Sequence, residues 1–268
     1  MWSWKADNPK GVIVIIHGAA EHHGRYKWLV EMWRCAGYHV VMGDLPGQGT
    51  STRRRGHIDA FDEYIVVVNE WLKDAFSYDL PVFVLGHSMG GLIAIRALQE
   101  KHHKIAGVLL SSPCLGVAYK PNKAMEILSR GLNVVAPTFK VDSKLSIQLA
   151  TRNKAVWEVD ENDSLYVTKV SVRWYRELLG AMEQAHMQIG KFPDIPLLVM
   201  QGGEDKIVDK SAVKKWFNKV DISEKSFKEW PTCYHEIFNE PEQEQVFRTA
   251  RWFIDGLIEA GDCANVNS

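Results

Sequence analysis

The chain has no excess of charge of either sign: 32 Lys and Arg face 33 Asp and Glu, a formal charge of −1. It therefore lacks the broad cationic surface that drives binding to a phosphate backbone, and nucleic acid is not expected as a partner. It has no apolar run near the ~18 residues of a membrane span. Only four cysteines occur among 268 residues (Cys35, Cys114, Cys233, Cys263), and none forms a CxxC pair. That excludes a disulfide-stapled scaffold and points to reduced thiols in a cytoplasmic protein. The pairs His22-His23 and His102-His103 lack the spacing of a tetrahedral metal site, so no metal is expected. The amino terminus, Met1-Trp2-Ser3-Trp4-Lys5-Ala6-Asp7, lacks the cationic start and apolar stretch of a secretory signal. Repeats and low-complexity segments are also missing. With 46% apolar and 24% charged residues, the composition is that of an ordinary globular protein.

What the chain does contain is alternation. Val12–Ile16 is a short β-branched run, closed by His17-Gly18, of the kind buried on both faces of a sheet. Tyr26, Leu29, Val30 and Trp33 then share one helical face, which Gly37 ends. His39–Met42, Val82–Leu85 and Gly107–Leu110 read as further strands. Between them lie a helix carrying Phe61, Ile65, Val68, Leu72 and Phe76 and an apolar helix from Met89 to His103. This rhythm predicts a mostly parallel sheet covered by helices on both sides. It breaks near Pro113 and resumes at Pro196–Gln201, with a strand near Ser226–Trp230 and a last helix containing Val246, Ala250, Phe253 and Leu257. The interval has helical faces (Ala124, Ile127, Leu128, Leu132, Val135; then Trp174, Leu178, Met182) and little that reads as a strand. The expected organisation is a core of residues 1–114 and 194–268 with an all-helical cap, 115–193, inserted between two strands.

Gly86-His87-Ser88-Met89-Gly90 fits G-x-S-x-G, for which composition alone gives roughly 0.08 chance matches. It follows a strand and opens a helix, the setting of a nucleophile elbow, where small neighbours let strand and helix pass closely. A serine hydroxyl needs a base, and the base an orienting acid, in the chain order Ser, acid, His. Asp205, after the strand ending at Gln201, is the expected acid, ahead of Glu204; Asp209 suits the N-cap of the next helix. His235 is the only histidine after Asp205 and is the expected base. His87 and His17 are read as structural. The oxyanion donors expected are the backbone N–H groups of Met89 and of Ala19, with Ala20 the alternative.

Four stretches, His17–Tyr26, Gly86–Gly91, Gln201–Asp205 and Tyr234–Glu236, together resemble the monoacylglycerol lipases and the bacterial lysophospholipase-like proteins of the α/β-hydrolase fold. The likeness runs through Thr151-Arg152-Asn153 and Asp163-Ser164-Leu165, and departs at Gln48, where relatives carry His. It implies serine-dependent hydrolysis of a single-chain acyl lipid, first a monoacylglycerol and otherwise a lysophospholipid or simple carboxylic ester, without metal or organic cofactor. Glu21 and Arg25, beside Ala19, are placed either to bind glycerol hydroxyls or to pair with each other. Arg53-Arg54-Arg55 is either a solvated run or a contact for a phosphate head group or an anionic membrane surface. Transient membrane contact is the partner interaction expected beyond the lipid itself. The intact Ser–Asp–His order weighs against a lipid-binding protein that has lost its chemistry.

Overall fold

The computed structural model describes residues 1–119, 122–143 and 145–266. Its central sheet is built from β1 (Trp2–Trp4), β2 (Gly11–Ile16), β3 (Tyr38–Met42), β4 (Val82–His87), β5 (Gly107–Ser111), β8 (Leu197–Gly202) and β9 (Lys225–Trp230), in the spatial order β1-β3-β2-β4-β5-β8-β9. All neighbours are parallel except β1, which runs antiparallel along β3 with Trp2 opposite Met42. This is the α/β-hydrolase fold.

Every residue of β2 and β4 is buried, which is why those strands read as continuous apolar runs rather than alternating ones. Alternation still decides which layer each side chain joins. Val12, Val14 and Ile16 pack with α2 (Asp62–Phe76) and α3 (Met89–Glu100), whereas Ile13 and Ile15 pack with α1 (Lys27–Cys35) and α9 (Gln243–Val266). Strand β2 sits between β3 and β4, so successive connections leave it in opposite directions across the sheet. A crevice forms outside the carboxyl ends of strands at such a switch point. The register places Ile16 opposite Gly86, and so sets the loop after β2 beside the turn after β4.

Three features differ from the sequence reading. β1 escaped it, because three residues, Trp-Ser-Trp, are too few for a periodic signal and the strand is held only by pairing on β3. α3 ends at Glu100 rather than His103, where Lys101 turns extended. The segment between β5 and β8 is not all helical. Beside α4 (Lys123–Val135), α5 (Ile147–Ala150), α6 (Lys154–Asp160) and α7 (Val172–Met187) it contains a two-stranded antiparallel ladder, β6 (Lys140–Asp142) with β7 (Lys169–Ser171). Each strand is three residues long, and the two are brought together across an intervening pair of helices, which no local pattern reveals.

Candidate active site

The turn after β4 brings the serine out of the sheet. Ser88 has φ 52° and ψ −118°, a left-handed conformation costly for a residue with a side chain, and its carbonyl still accepts from Leu92 N–H as α3 begins. The strain is tolerated because the surroundings leave no alternative path. A Cβ on Gly90 would lie 2.0 Å from the carbonyl oxygen of Ile16, and one on Gly86 would lie 2.7 Å from that of Gly90. Only glycine lets β2, β4 and α3 approach this closely.

The loops that carry Asp205 and His235 leave the adjacent strands β8 and β9. They are laced together by Gly203 N–H to the Trp230 carbonyl (2.8 Å) and Glu204 N–H to the Cys233 carbonyl (3.0 Å). The result is a continuous relay: Ser88 Oγ lies 2.7 Å from His235 Nε2, and His235 Nδ1 lies 2.8 Å from Asp205 Oδ2. A carboxylate can only accept, so Nδ1 carries the proton and Nε2 is left to accept from the serine hydroxyl. Asp205 is fixed by four donors: His235 Nδ1, Gln201 Nε2 at 2.9 Å, and the N–H groups of Ile207 and Val208, each at 2.9 Å. Burial alone would raise its pKa, but the imidazole and these N–H groups hold it below the ordinary carboxylate value. Burial alone would lower the pKa of His235, but Asp205, with Glu236 and Glu21 behind it, raises it above that of a free imidazole.

Ala19, Ser88 and Met89 share the wall of one cavity of about 470 Å³. The rest of its lining is mostly apolar, including Leu128 and Leu132 of α4, Trp174 and Leu178 of α7, and Ile207. Among the described residues, no backbone group accepts from the N–H of Ala19 or Met89. Ala20, the alternative donor, has φ 70° and lies off the cavity, with its carbonyl taken by Val167 N–H at 3.0 Å. Asp209 caps α8 (Lys210–Lys219) by accepting from Ser211 N–H, and Glu204 is exposed. His17 is neutral: its Nε2 accepts from Leu45 N–H at 3.0 Å, its Nδ1 donates to the Gly18 carbonyl, and burial pulls its pKa down to about 4. His87 is buried with its ring 4.8 Å from that of His235, and burial likewise lowers its pKa.

Glu21 and Arg25 lie off the cavity and face inward, with side chains 3% exposed. Of their two expected roles, pairing is the one found. All five N–H donors of the guanidinium are engaged: Nη1 by Glu21 and Glu236, Nη2 by Glu236 and Asp160, and Nε by Asp160. Glu236, quoted only as the end of the stretch Tyr234–Glu236, and Asp160 were not read from sequence as partners of Arg25. They stand 211 and 135 positions from Arg25, with no motif linking them. In the arginine run, Arg53 pairs with Glu63, Arg55 donates to the carbonyls of Gly49, Ser164 and Tyr166, and Arg54 is exposed. Cys35, Cys114 and Cys233 are free thiols, and the side chain of Cys263 lies outside the described residues.

Residues 7–242 match the family model described as serine aminopeptidase, S33. The chain belongs to this family of α/β hydrolases. It is 62% identical over 96% of its length to phospholipase YtpA of Bacillus subtilis, spanning 100% of that protein. It is 29% identical to the monoacylglycerol lipase of Mycolicibacterium smegmatis, over 95% of this chain and 92% of that one. Among solved structures, the monoacylglycerol lipase of Paleococcus ferrophilus superposes with a TM-score of 0.85 at 29% identity, covering 96% of this chain and 98% of that one. As a member of the family the chain is a serine hydrolase of the lipase type.

Proposed function

We propose that the protein hydrolyses the ester of a single-chain phospholipid, releasing a fatty acid and a glycerophospho-alcohol through an acyl-enzyme. One observation carries the reading: Ser88, hydrogen-bonded to an oriented imidazole, lines a mostly apolar cavity whose volume of about 470 Å³ falls within the range of ligand sites. Residues 115–193 act as a cap over the core, and the acyl chain lies between the two, gaining ~0.8 kcal/mol for each methylene it buries.

In this reading Ser88, His235 and Asp205 are the catalytic residues. Ser88 Oγ attacks the ester carbon as His235 Nε2 takes its proton, and Asp205 holds the imidazolium so formed. The oxyanion is held by the N–H groups of Ala19 and Met89, each donor worth about 3–4 kcal/mol of transition-state stabilisation. The carbon–oxygen bond to the alcohol breaks, and that oxygen leaves with the proton from His235. Water, deprotonated by the same nitrogen, then attacks the acyl carbon, and the bond to Ser88 Oγ breaks as that oxygen takes the proton from His235, releasing the fatty acid. The chain's own residues supply every proton transfer. Glu21 and Arg25 brace the site rather than bind the head group, since all five donors of Arg25 are taken by protein and Glu21 already accepts from Gly18, Tyr26 and Arg25.

Phospholipid ranks ahead of monoacylglycerol, the substrate first expected, on the 62% identity to a protein named phospholipase against 29% to monoacylglycerol lipases. The superposition on a monoacylglycerol lipase keeps that substrate as the second reading. Among the described residues no helix is long and apolar enough to cross a membrane. Exposed Ile127, Val134 and Val135 on α4 support transient contact of a cytoplasmic enzyme with a membrane surface, where such lipids reside. A hydrolysis panel of lysophosphatidylcholine, 1-monoacylglycerol and p-nitrophenyl butyrate under one set of conditions tests the ranking. The highest kcat/KM is expected for the lysophospholipid; a monoacylglycerol turned over faster would reverse the order.

A further inference from the structure

The mechanism leaves unused a buried charged cluster, one guanidinium enclosed by three carboxylates. Arg25 donates to Glu21, Glu236 and Asp160, and the ring of Tyr166 lies 5.5 Å from the guanidinium. An isolated buried ion cluster is a poor source of stability, because desolvation cancels much of its attraction. Its worth must be sought in what it holds. Glu21 Oε2 accepts from Gly18 N–H at 2.7 Å and from Tyr26 OH at 2.6 Å, which fixes the His17–Gly18 peptide, one peptide before the unit that carries the Ala19 N–H. Glu236 follows His235 directly and is further held by Asn239 Nδ2 at 2.8 Å. Asp160 ends α6 in the inserted segment, and two nearby main-chain bonds repeat its connection to the core: Val167 N–H to the Ala20 carbonyl and Glu236 N–H to the Ala150 carbonyl.

We propose that Arg25 is a positioning residue for the hydrolysis, locking the loop that carries the Ala19 oxyanion donor and the loop that carries His235 to each other and to the inserted segment through Asp160. The role rests on the triad proposed above. Arg25 is off the cavity wall and touches no reacting atom, so it acts through Glu21 and Glu236. Hydrolysis requires the Ala19 N–H and His235 Nε2 to stand in fixed relation to one carbonyl, yet the two lie on loops from opposite ends of the sequence. A planar guanidinium with five donors can bind three carboxylates from three segments at once, whereas a lysine ammonium cannot match that geometry. The cluster also bears on the base. Asp205, Glu236 and Glu21 act on His235, which with Arg25 acts on His87, and one polar atom each of Glu21, His87 and Glu236 lies within 4.8 Å of the other two.

The test compares Glu236→Gln, Asp160→Asn and Arg25→Lys with wild type on p-nitrophenyl butyrate. Readouts are kcat, KM, the pH profile, the rate of fluorophosphonate labelling at Ser88 and the melting temperature. Misplacement of a reacting group by about 1 Å costs on the order of 10²-fold, and Glu236→Gln should lose that much in kcat with KM changed by less than about threefold. Its acid limb should move to lower pH, since a carboxylate favouring the imidazolium is gone. Asp160→Asn should lose about tenfold in kcat with the labelling rate falling in parallel, Asp160→Glu should keep most of the wild-type rate, and Arg25→Lys, though it keeps the charge, should lose on the order of 10²-fold. Variants that fold and keep wild-type kcat and labelling would overturn the proposal. So would variants that none fold, since the cluster would then be a folding element only. A wild-type protein left unlabelled by the probe would instead overturn the triad, and this role with it.

Discussion

Two buried histidines 218 positions apart show how neighbours rather than identity set chemistry. His17 donates to a backbone carbonyl and accepts from a backbone N–H, so it stays neutral and shapes a loop. His235 faces a carboxylate on one side and a hydroxyl on the other, and is equipped to take a proton. Among the described residues, Ser88 supplies the one hydroxyl that touches His235, and replacing it with Ala removes that hydroxyl. The expected result is a fall in kcat of about 10⁴-fold or more with the melting temperature kept, read on any ester that the wild type hydrolyses. Esterase activity surviving in that variant would remove Ser88 from the role assigned to it.

Elements differ in how far their own sequence determined them. β2 and β4 were legible because burial on both faces demands runs of Val, Ile and Leu, and α1 and α2 because their apolar residues recur at helical spacing. β1, β6 and β7, each three residues long, were not, since such strands exist by virtue of their partners. α4 is a further case. The helix was read correctly but its face only in part: none of its residues is buried, Ile127 and Val135 of the expected face are exposed, and Met125, Leu128 and Leu132 line the cavity instead of a core. That gives α4 room for a larger side chain. Leu132→Trp should shorten the cavity by a few methylenes at ~0.8 kcal/mol each, lowering kcat/KM for a long-chain lysophospholipid on the order of 10²-fold while sparing p-nitrophenyl butyrate. Equal losses on both substrates would show that the acyl chain lies elsewhere.

Across the whole molecule, several buried ionisable groups make folding sensitive to acid. Burial pulls the His17 pKa from 6.5 to about 4, so between those values the unfolded chain takes up a proton that the folded chain refuses, a loss of about 3 kcal/mol. Two carboxylates act lower down. Burial would raise both, but Arg25 holds Glu236 at about 2 against 4.5, and donors from His23 and Thr50 hold Asp44 at about 2 against 3.8. Their stabilisation is complete above the ordinary carboxylate range and is lost as pH falls from about 4.5 toward 2. The raised pKa of His235 works the other way, adding stability at low pH that is lost as pH rises through it. Urea unfolding at pH 7, 5.5, 4 and 3 should show stability declining from about pH 6.5 downward and more steeply below 4.5. A flat profile would contradict the protonation states assigned to His17 and Glu236.

The sequence by itself determined the layered sheet, the elbow at Ser88 and the order in which acid and base follow it. Hydrophobic periodicity, glycine spacing and chain order are local or one-dimensional properties, and they survive in the string of residues. What only tertiary structure decided were contacts between distant segments: the closure of Glu21, Arg25, Asp160 and Glu236 into one cluster, and the turning of α4 toward a cavity rather than a core. An ion pair leaves no periodic trace in the chain, and a carboxylate 211 positions from its arginine looks the same as any on the surface until the fold brings the two together.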